Sequence, residues 1–313
     1  MKKRIAVIAG PTASGKTELS LTLAERFNGE IVSADSMQIY RGMDIGTAKP
    51  SAAEQRRIPH HMLDVAEPGE DWSVSRYEKA AAECVENILQ RGKLPILCGG
   101  TGLYINAVIS GTGFQTNGAD AGIRQALEAQ WDEQGSAVMH ERLRAVDPES
   151  AERLHPNDRR RVIRAIEVYE LTGTAISEHN RRTREQPPRY EAFMLGLTTD
   201  PRDILYRRID SRVERMAEQG LLNEVEGLWK RGLLRGTAAQ AIGYKELAGY
   251  FEGKSSLEDA MTAIRQKSRN YAKRQLTWFR ADDRIHWIVY NTVEASSVVA
   301  EEATAFLRQC GLQ

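Results

Sequence analysis

The chain has only three cysteines, Cys84, Cys98 and Cys310, scattered over 313 residues. They are too few and too widely spaced for a disulfide framework or a zinc site, so reduced, mostly buried thiols are expected. Net charge is also lacking: Lys+Arg and Asp+Glu both number 43, so bulk charge selects no partner. No apolar stretch approaches the roughly 18 residues of a membrane span. The N-terminus sets basic residues before an apolar run, but that run covers only Ile5–Ala9, short of the roughly 7–15 residues of a secretion-signal core. A cytoplasmic protein without membrane contact is expected, acting as a monomer.

With 41% hydrophobic residues the chain can bury a full core, and its length suggests one large domain plus a smaller one. Ile5–Ala9 is a short, continuously apolar run, as buried parallel strands are; Glu30–Ala34 reads as a second strand and Leu94–Cys98 as a third, buried one. Helical spacing over Glu18–Phe27 and Val74–Arg91 separates them, and strand–helix alternation of this kind gives an α/β parallel sheet with flanking helices. The pattern breaks at Gly111–Asp120, rich in Gly, Thr and Asn. Beyond it come helices over Ile123–Gln134, Val138–Val146 and Asp158–Leu171, then a charged stretch ending at Pro187-Pro188. Phe193–Thr198 returns as a strand, a long helix starts at Asp203, and Ile285–Tyr290 is strand-like. The division predicted is a core of 1–114 and 191–313 with an inserted all-helical domain at 115–190.

The most specific local signal is Gly10, Pro11, Thr12, Ala13, Ser14, Gly15, Lys16 and Thr17, which fits the P-loop pattern G-x-x-x-x-G-K-[ST] between a strand and a helix. Glycines let successive backbone N–H groups face one anion, and the helix N-terminus adds partial positive charge. Lys16 supplies a full charge to outer phosphate oxygens, and the Thr17 hydroxyl can ligate Mg²⁺. An NTPase would add a Mg²⁺-binding carboxylate at the end of a later strand, yet Leu94–Cys98 runs into Gly99-Gly100-Thr101 with no acid. A carboxylate does follow the second strand. Asp35 should project near the phosphates, since ligand crevices lie beyond the carboxyl ends of parallel strands. It is a candidate general base or, on placement alone, a structural or helix-capping Asp.

Two basic concentrations stand out against zero net charge. Arg159–Tyr169 follows a helix-start signal, with Val162, Ile163, Ile166 and Tyr169 as an apolar stripe and Arg160 and Arg164 sharing an outer face. Ile264–Arg280 carries six basic residues and no acid, with Tyr271, Trp278 and Phe279 among them. Alone, each reads as a solvated helix face; beside a P-loop without NTPase acids, they favour nucleic acid. His60 and His61 are adjacent and so point to different sides, which argues against a shared metal.

These residues resemble the tRNA dimethylallyltransferases (tRNA isopentenyltransferases) along nearly the whole chain. The similarity is carried by Gly10–Thr17, Ser33–Pro50, Pro59–Asp64, Gly99–Tyr104, His155–Asp158, Ile242–Glu246 and Lys273–Arg280. The stretches around Asp35–Pro50 and Gly99–Tyr104 are the most family-specific. The resemblance implies transfer of a dimethylallyl group from dimethylallyl diphosphate to N6 of the tRNA adenosine just 3′ of the anticodon. It implies that the P-loop, with Mg²⁺, holds the diphosphate rather than ATP. Asp35 matches the proposed general base, Thr101 a threonine beside the reacting centre, and Arg212 an arginine directed at the diphosphate. tRNA contacts implied by match are Asp35, Ser36, Met37, Gln38, Thr101 and Arg124, then Arg159, Arg160, Arg161, Val162 and Ile163, and finally Gln240, Ala241, Ile242, Gly243, Tyr244 and Lys245. No paired cysteines or histidines at the C-terminus suggest the zinc finger of some eukaryotic relatives. The alternative reading is a small-molecule P-loop kinase with a helical lid; a non-catalytic tRNA-binding protein would have no need of Lys16, Thr17 and Asp35 together.

Overall fold

The computed structural model describes residues 3–111, 121–291 and 296–313. In chain order the elements are β1 (Arg4–Ala9), α1 (Lys16–Arg26), β2 (Gly29–Ser33), α2 (Ala52–Arg57), β3 (His60–His61), α3 (Val74–Gln90), β4 (Leu94–Gly99) and α4 (Gly102–Ser110). Four helices follow, α5 (Ala121–Val146), α6 (Pro148–Arg153), α7 (Arg159–Thr172) and α8 (Ile176–Glu185). The chain continues through β5 (Glu191–Thr199), α9 (Arg202–Glu218), α10 (Leu221–Lys230), a 3₁₀ turn at Ala238–Gln240, α11 (Tyr244–Phe251), α12 (Leu257–Arg280), β6 (Ile285–Tyr290) and α13 (Ser296–Gln309). It divides into two compact units, Met1–Gly111 with Arg189–Gln313, and Thr112–Pro188. Most of the Gly/Thr/Asn-rich stretch at 111–120 lies outside the described residues.

In the first unit one parallel sheet has the strand order β3-β2-β4-β1-β5-β6. Its central strands β4, β1 and β5 are largely apolar because both faces are covered. Ala6, Ile8, Ile31, Ile96 and Leu195 pack with α1 and α13, whereas Ile5, Val7, Val32 and Leu97 pack with α3, α4 and α10 to α12. The register aligns the carboxyl ends of three neighbouring strands, with Ala9 opposite Gly99 and Ser33 opposite Cys98. The P-loop, Asp35 and the Gly99–Thr101 turn therefore emerge side by side. The turn passes so close to β2 that a Cβ at Gly99 would lie 2.2 Å from the Ala34 carbonyl oxygen. β3 has no counterpart among the sequence-predicted strands. All three cysteines are free and intermediate in burial.

The second unit is helical throughout its described residues. α5 contains a break at Gly135, whose φ of 80° and ψ of 170° separate the two helices anticipated there. Its core is Leu127, Met139, Leu143, Val162, Ile163 and Ile166. Buried Asp147 accepts hydrogen bonds from Ser150 N, Ser150 Oγ and Ser177 N, tying α6 to α8.

Candidate functional site

The P-loop is braced from outside through its carbonyls. Arg208 Nε donates to Ala13 O at 2.8 Å and Tyr290 OH to Ser14 O at 2.7 Å. Ala13 and Gly15 adopt positive φ, 63° and 86°, the local geometry that turns amides toward a common concavity. Lys16 folds back to donate to Pro11 O at 2.7 Å. Burial pushes its pKa down to about 8; Cys98 and Asp35 oppose the shift and Arg212 adds to it.

Two cavities meet beside this loop. The polar one is lined by Lys16, Thr17, Ser33, Gln38, His60, Gly100 and Gln275 among others. The apolar one, about 230 Å³, is lined by Met37, Ile209, Val213, Met216, Leu221, Ile242 and Ile264 among others. Thr12, Asp35, Thr47, Arg212 and Tyr271 line both. Asp35 Oδ1 accepts from Met37 N at 2.8 Å and Gln38 N at 3.3 Å, so one oxygen has a structural role, holding a turn rather than capping a helix. Oδ2 has no hydrogen-bond donor among the described residues. Burial lowers the pKa of Arg212, with the Asp35 carboxylate opposing. Thr101 accepts from Ser36 N through Oγ1 at 3.3 Å and neighbours the Tyr271 phenol, which burial pushes up to about 12.

An anion cradle, a shared carboxylate and arginine, and an apolar chamber beyond them are what a diphosphate bearing a short hydrocarbon would require. A family profile described as IPP transferase matches residues 38–282, and one described as isopentenyl transferase matches residues 3–67. The chain belongs to the IPP transferase family. A tRNA dimethylallyltransferase from Geobacillus thermodenitrificans is 49% identical over 307 residues, covering 98% of this chain and 97% of that protein. Among solved structures, the tRNA isopentenylpyrophosphate transferase of Bacillus halodurans is 42% identical, with 98% of each chain covered and a TM-score of 0.72. A eukaryotic dimethylallyltransferase acting on tRNA is 31% identical, covering 97% of this chain and 78% of that one, with a TM-score of 0.83.

Of the family-matched positions, Gln240, Ala241, Ile242 and Gly243 line the apolar cavity with Ser36 and Met37. Tyr244 is fully buried and donates to Glu224 Oε1 at 2.5 Å. Glu224 also accepts from Asp44, Ile45 and Gly46 N–H at 2.8–3.1 Å, so Tyr244 supports the cavity wall and its ring offers nothing to a nucleic acid. Lys245 is exposed and donates to Gln240.

In the second unit Val162 and Ile163 are core residues, their side chains buried. Arg159 pairs with Asp132, and Arg161 lies 3.5 Å from Asp158. Arg124 and Arg164 both bind the carboxylate of fully buried Glu167, at 2.6 and 2.9 Å. The outer face expected for Arg160 and Arg164 is therefore corrected: Arg164 is anchored inward, because Glu167 needs counter-charge when desolvated. Arg160 is exposed without an ion pair among the described residues. Tyr169, expected in the apolar stripe, is 37% exposed.

The basic stretch on α12 is also partly neutralised. Arg269 pairs with Asp210, Lys267 with Glu246, and Arg265 approaches Glu214 at 3.9 Å. Lys273, Arg274 and Arg280 are exposed without carboxylate partners among the described residues. His61 bonds Glu30 and His60 bonds the Ile58 carbonyl, and no cluster of three metal-type ligands occurs among the described residues. No described helix is long and apolar enough to cross a membrane. Sequence reasoning missed Gln275, Glu224 and the apolar cavity walls supplied by Ile209, Val213, Met216, Leu221 and Ile264. For Gln275 the signal was a polar residue inside the apolar stripe Ala272, Leu276, Phe279.

Proposed function

We propose that the protein transfers the dimethylallyl group of dimethylallyl diphosphate to N6 of the adenosine 3′-adjacent to the anticodon of tRNA. The observation that carries this reading is the meeting of a phosphate-type cavity and an apolar cavity at Asp35 and Arg212. A kinase would instead need a Mg²⁺-binding carboxylate beyond β4, where Gly99, Gly100 and Thr101 supply none.

In the proposed reaction the allylic C–O bond to diphosphate breaks as a C–N bond to N6 forms. The N6 lone pair is delocalised into the adenine ring, so nucleophilicity gains from proton removal, and that proton passes to Asp35 Oδ2. Lys16, Arg212 and the loop amides stabilise the departing diphosphate more as charge accumulates on it. The apolar chamber keeps water from the electron-poor allylic carbon. Thr101 borders the nucleophile side. Thr17 fits Mg²⁺, since a hard hydroxyl oxygen with few protein ligands suits an ion that retains water and phosphate oxygens; the ion would add charge neutralisation on the diphosphate. An adenosine in a folded anticodon loop must be flipped out to react, and Arg160, Arg161, Lys245 and the free arginines of α12 are the proposed backbone contacts. The proposed working unit is a monomer acting in the cytoplasm.

Incubation with total tRNA and dimethylallyl diphosphate, followed by mass analysis of nucleosides, tests the reading. An adenosine heavier by one dimethylallyl group is expected. Absence of that product together with phosphoryl transfer from ATP would overturn it.

A further inference from the structure

Gln275 is buried, at 5% exposure, on the face of α12 that carries Ala272, Leu276 and Phe279. Its Oε1 accepts from Thr12 N at 2.8 Å, and its Nε2 donates to Gly100 O at 2.9 Å. One amide therefore joins the P-loop to the turn after β4. The fit leaves no room for a side chain on the turn: a Cβ at Gly100 would lie 2.1 Å from Gln275 Nε2. The linkage continues past Gly100. Thr101 N donates to Ala34 O at 3.1 Å, and Ser36 N donates to Thr101 Oγ1 at 3.3 Å. Tyr271, one turn earlier on α12, has Thr101 and Gln275 as hydrogen-bonding neighbours.

We infer that Gln275 is a positioning residue: it fixes the P-loop against the strand ends bearing Thr101 and Asp35, and it withholds the Thr12 N–H from the diphosphate. The inference rests on the transferase reading, in which the loop holds the leaving group and Asp35 and Thr101 border the nucleophile. The amides left to meet the diphosphate then begin at Ala13. The two sides of the reacting bond are held at one spacing by a group offering an acceptor and a donor together. Glutamine does this, and so does a protonated glutamic acid of the same length. A methionine offers neither.

Two variants test it, Gln275→Met and Gln275→Glu, alongside the unmutated protein. For Gln275→Met, single-turnover transfer should fall roughly 10- to 100-fold, since small misplacements of reacting groups cost about that much, while tRNA affinity stays unchanged. Binding of inorganic diphosphate with Mg²⁺ should weaken about tenfold through lost preorganisation. That arm reads the clamp whether or not prenyl transfer occurs, so failure of the clamp and failure of the transferase reading give different results. For Gln275→Glu, the rate relative to the unmutated protein should climb as pH falls and the carboxyl protonates; for Gln275→Met that ratio should stay flat. A flat ratio for Gln275→Glu, or near-normal transfer and diphosphate binding in Gln275→Met, would overturn the inference.

Discussion

The Lys16 ammonium offers a quantitative test of the diphosphate cradle that needs no turnover. Burial holds its pKa near 8 rather than the ordinary 10.5. A bound diphosphate brings further counter-charge to the ammonium, so binding should raise the pKa and draw in a proton. The free site is about 90% protonated at pH 7, about half at pH 8 and about 10% at pH 9 by the usual titration relation. Proton uptake per diphosphate bound should accordingly rise from about 0.1 to about 0.5 to about 0.9 over that range. Affinity should fall about tenfold between pH 7 and pH 9, equivalent to about 1.4 kcal/mol. The sign is set by the empty site: affinity is lost as pH rises through 8, because the lysine must be protonated to bind an anion. Calorimetric titration with an unreactive analogue of dimethylallyl diphosphate, in buffers of different ionisation enthalpy, measures the uptake directly. Lys16→Met serves as the control that subtracts protons belonging to the ligand. Equal uptake by the two proteins at pH 9 would refute a depressed Lys16 and with it the geometry in which that ammonium meets the diphosphate.

Asp35→Asn should slow single-turnover transfer roughly 10²–10⁴-fold, the usual worth of a general base, with analogue binding retained because the Asn oxygen can still accept from Met37 and Gln38. Charge reversal of Arg160 and Arg161 should lower the slope of log K against log salt for tRNA binding by roughly 0.7–0.9 per lost phosphate contact; an unchanged slope would make both residues solvated bystanders. Arg164→Glu should instead act on folding, costing on the order of 2–3 kcal/mol in chemical denaturation, below the 3–5 typical of breaking a buried pair because Arg124 remains on Glu167.

Much of the sheet was legible because buried parallel strands are largely apolar runs, as in β1, β4 and β5. β3 was not, since His60 and His61 carry no strand signal of their own and are ordered by pairing with Ile31 and Val32. The phosphate side of the site was equally legible: a P-loop is one contiguous segment, and Asp35 follows a recognisable strand end. The apolar side was hidden because it is assembled from separated pieces, the 35–47 loop, α9, the turn before α11, and α12. Charge behaved in the same way. Ile264–Arg280 holds no acid, so its sequence reads as a bare basic face, yet Asp210, Glu214 and Glu246 arrive from α9 and α11 to bind three of its cations.

Gln275 marks where reading along the chain stops short in principle. Its position in an apolar stripe implies burial, and a buried amide must find an acceptor and a donor. That much follows from spacing on one helix. The identity of the partners does not, because Thr12 and Gly100 lie 263 and 175 residues away and each looks locally like part of a glycine-rich loop. Gly46 shows the same limit from the other side: it falls in a loop where any small residue would serve, until the Tyr244 ring is found 2.5 Å from where its Cβ would be. Glycines at such positions are demanded by what packs against them as well as by the turn they make. The family-specific stretches at Asp35–Pro50 and Gly99–Tyr104 are therefore best understood as two sides of one crevice, with the spacing between them set by side chains from α11 and α12.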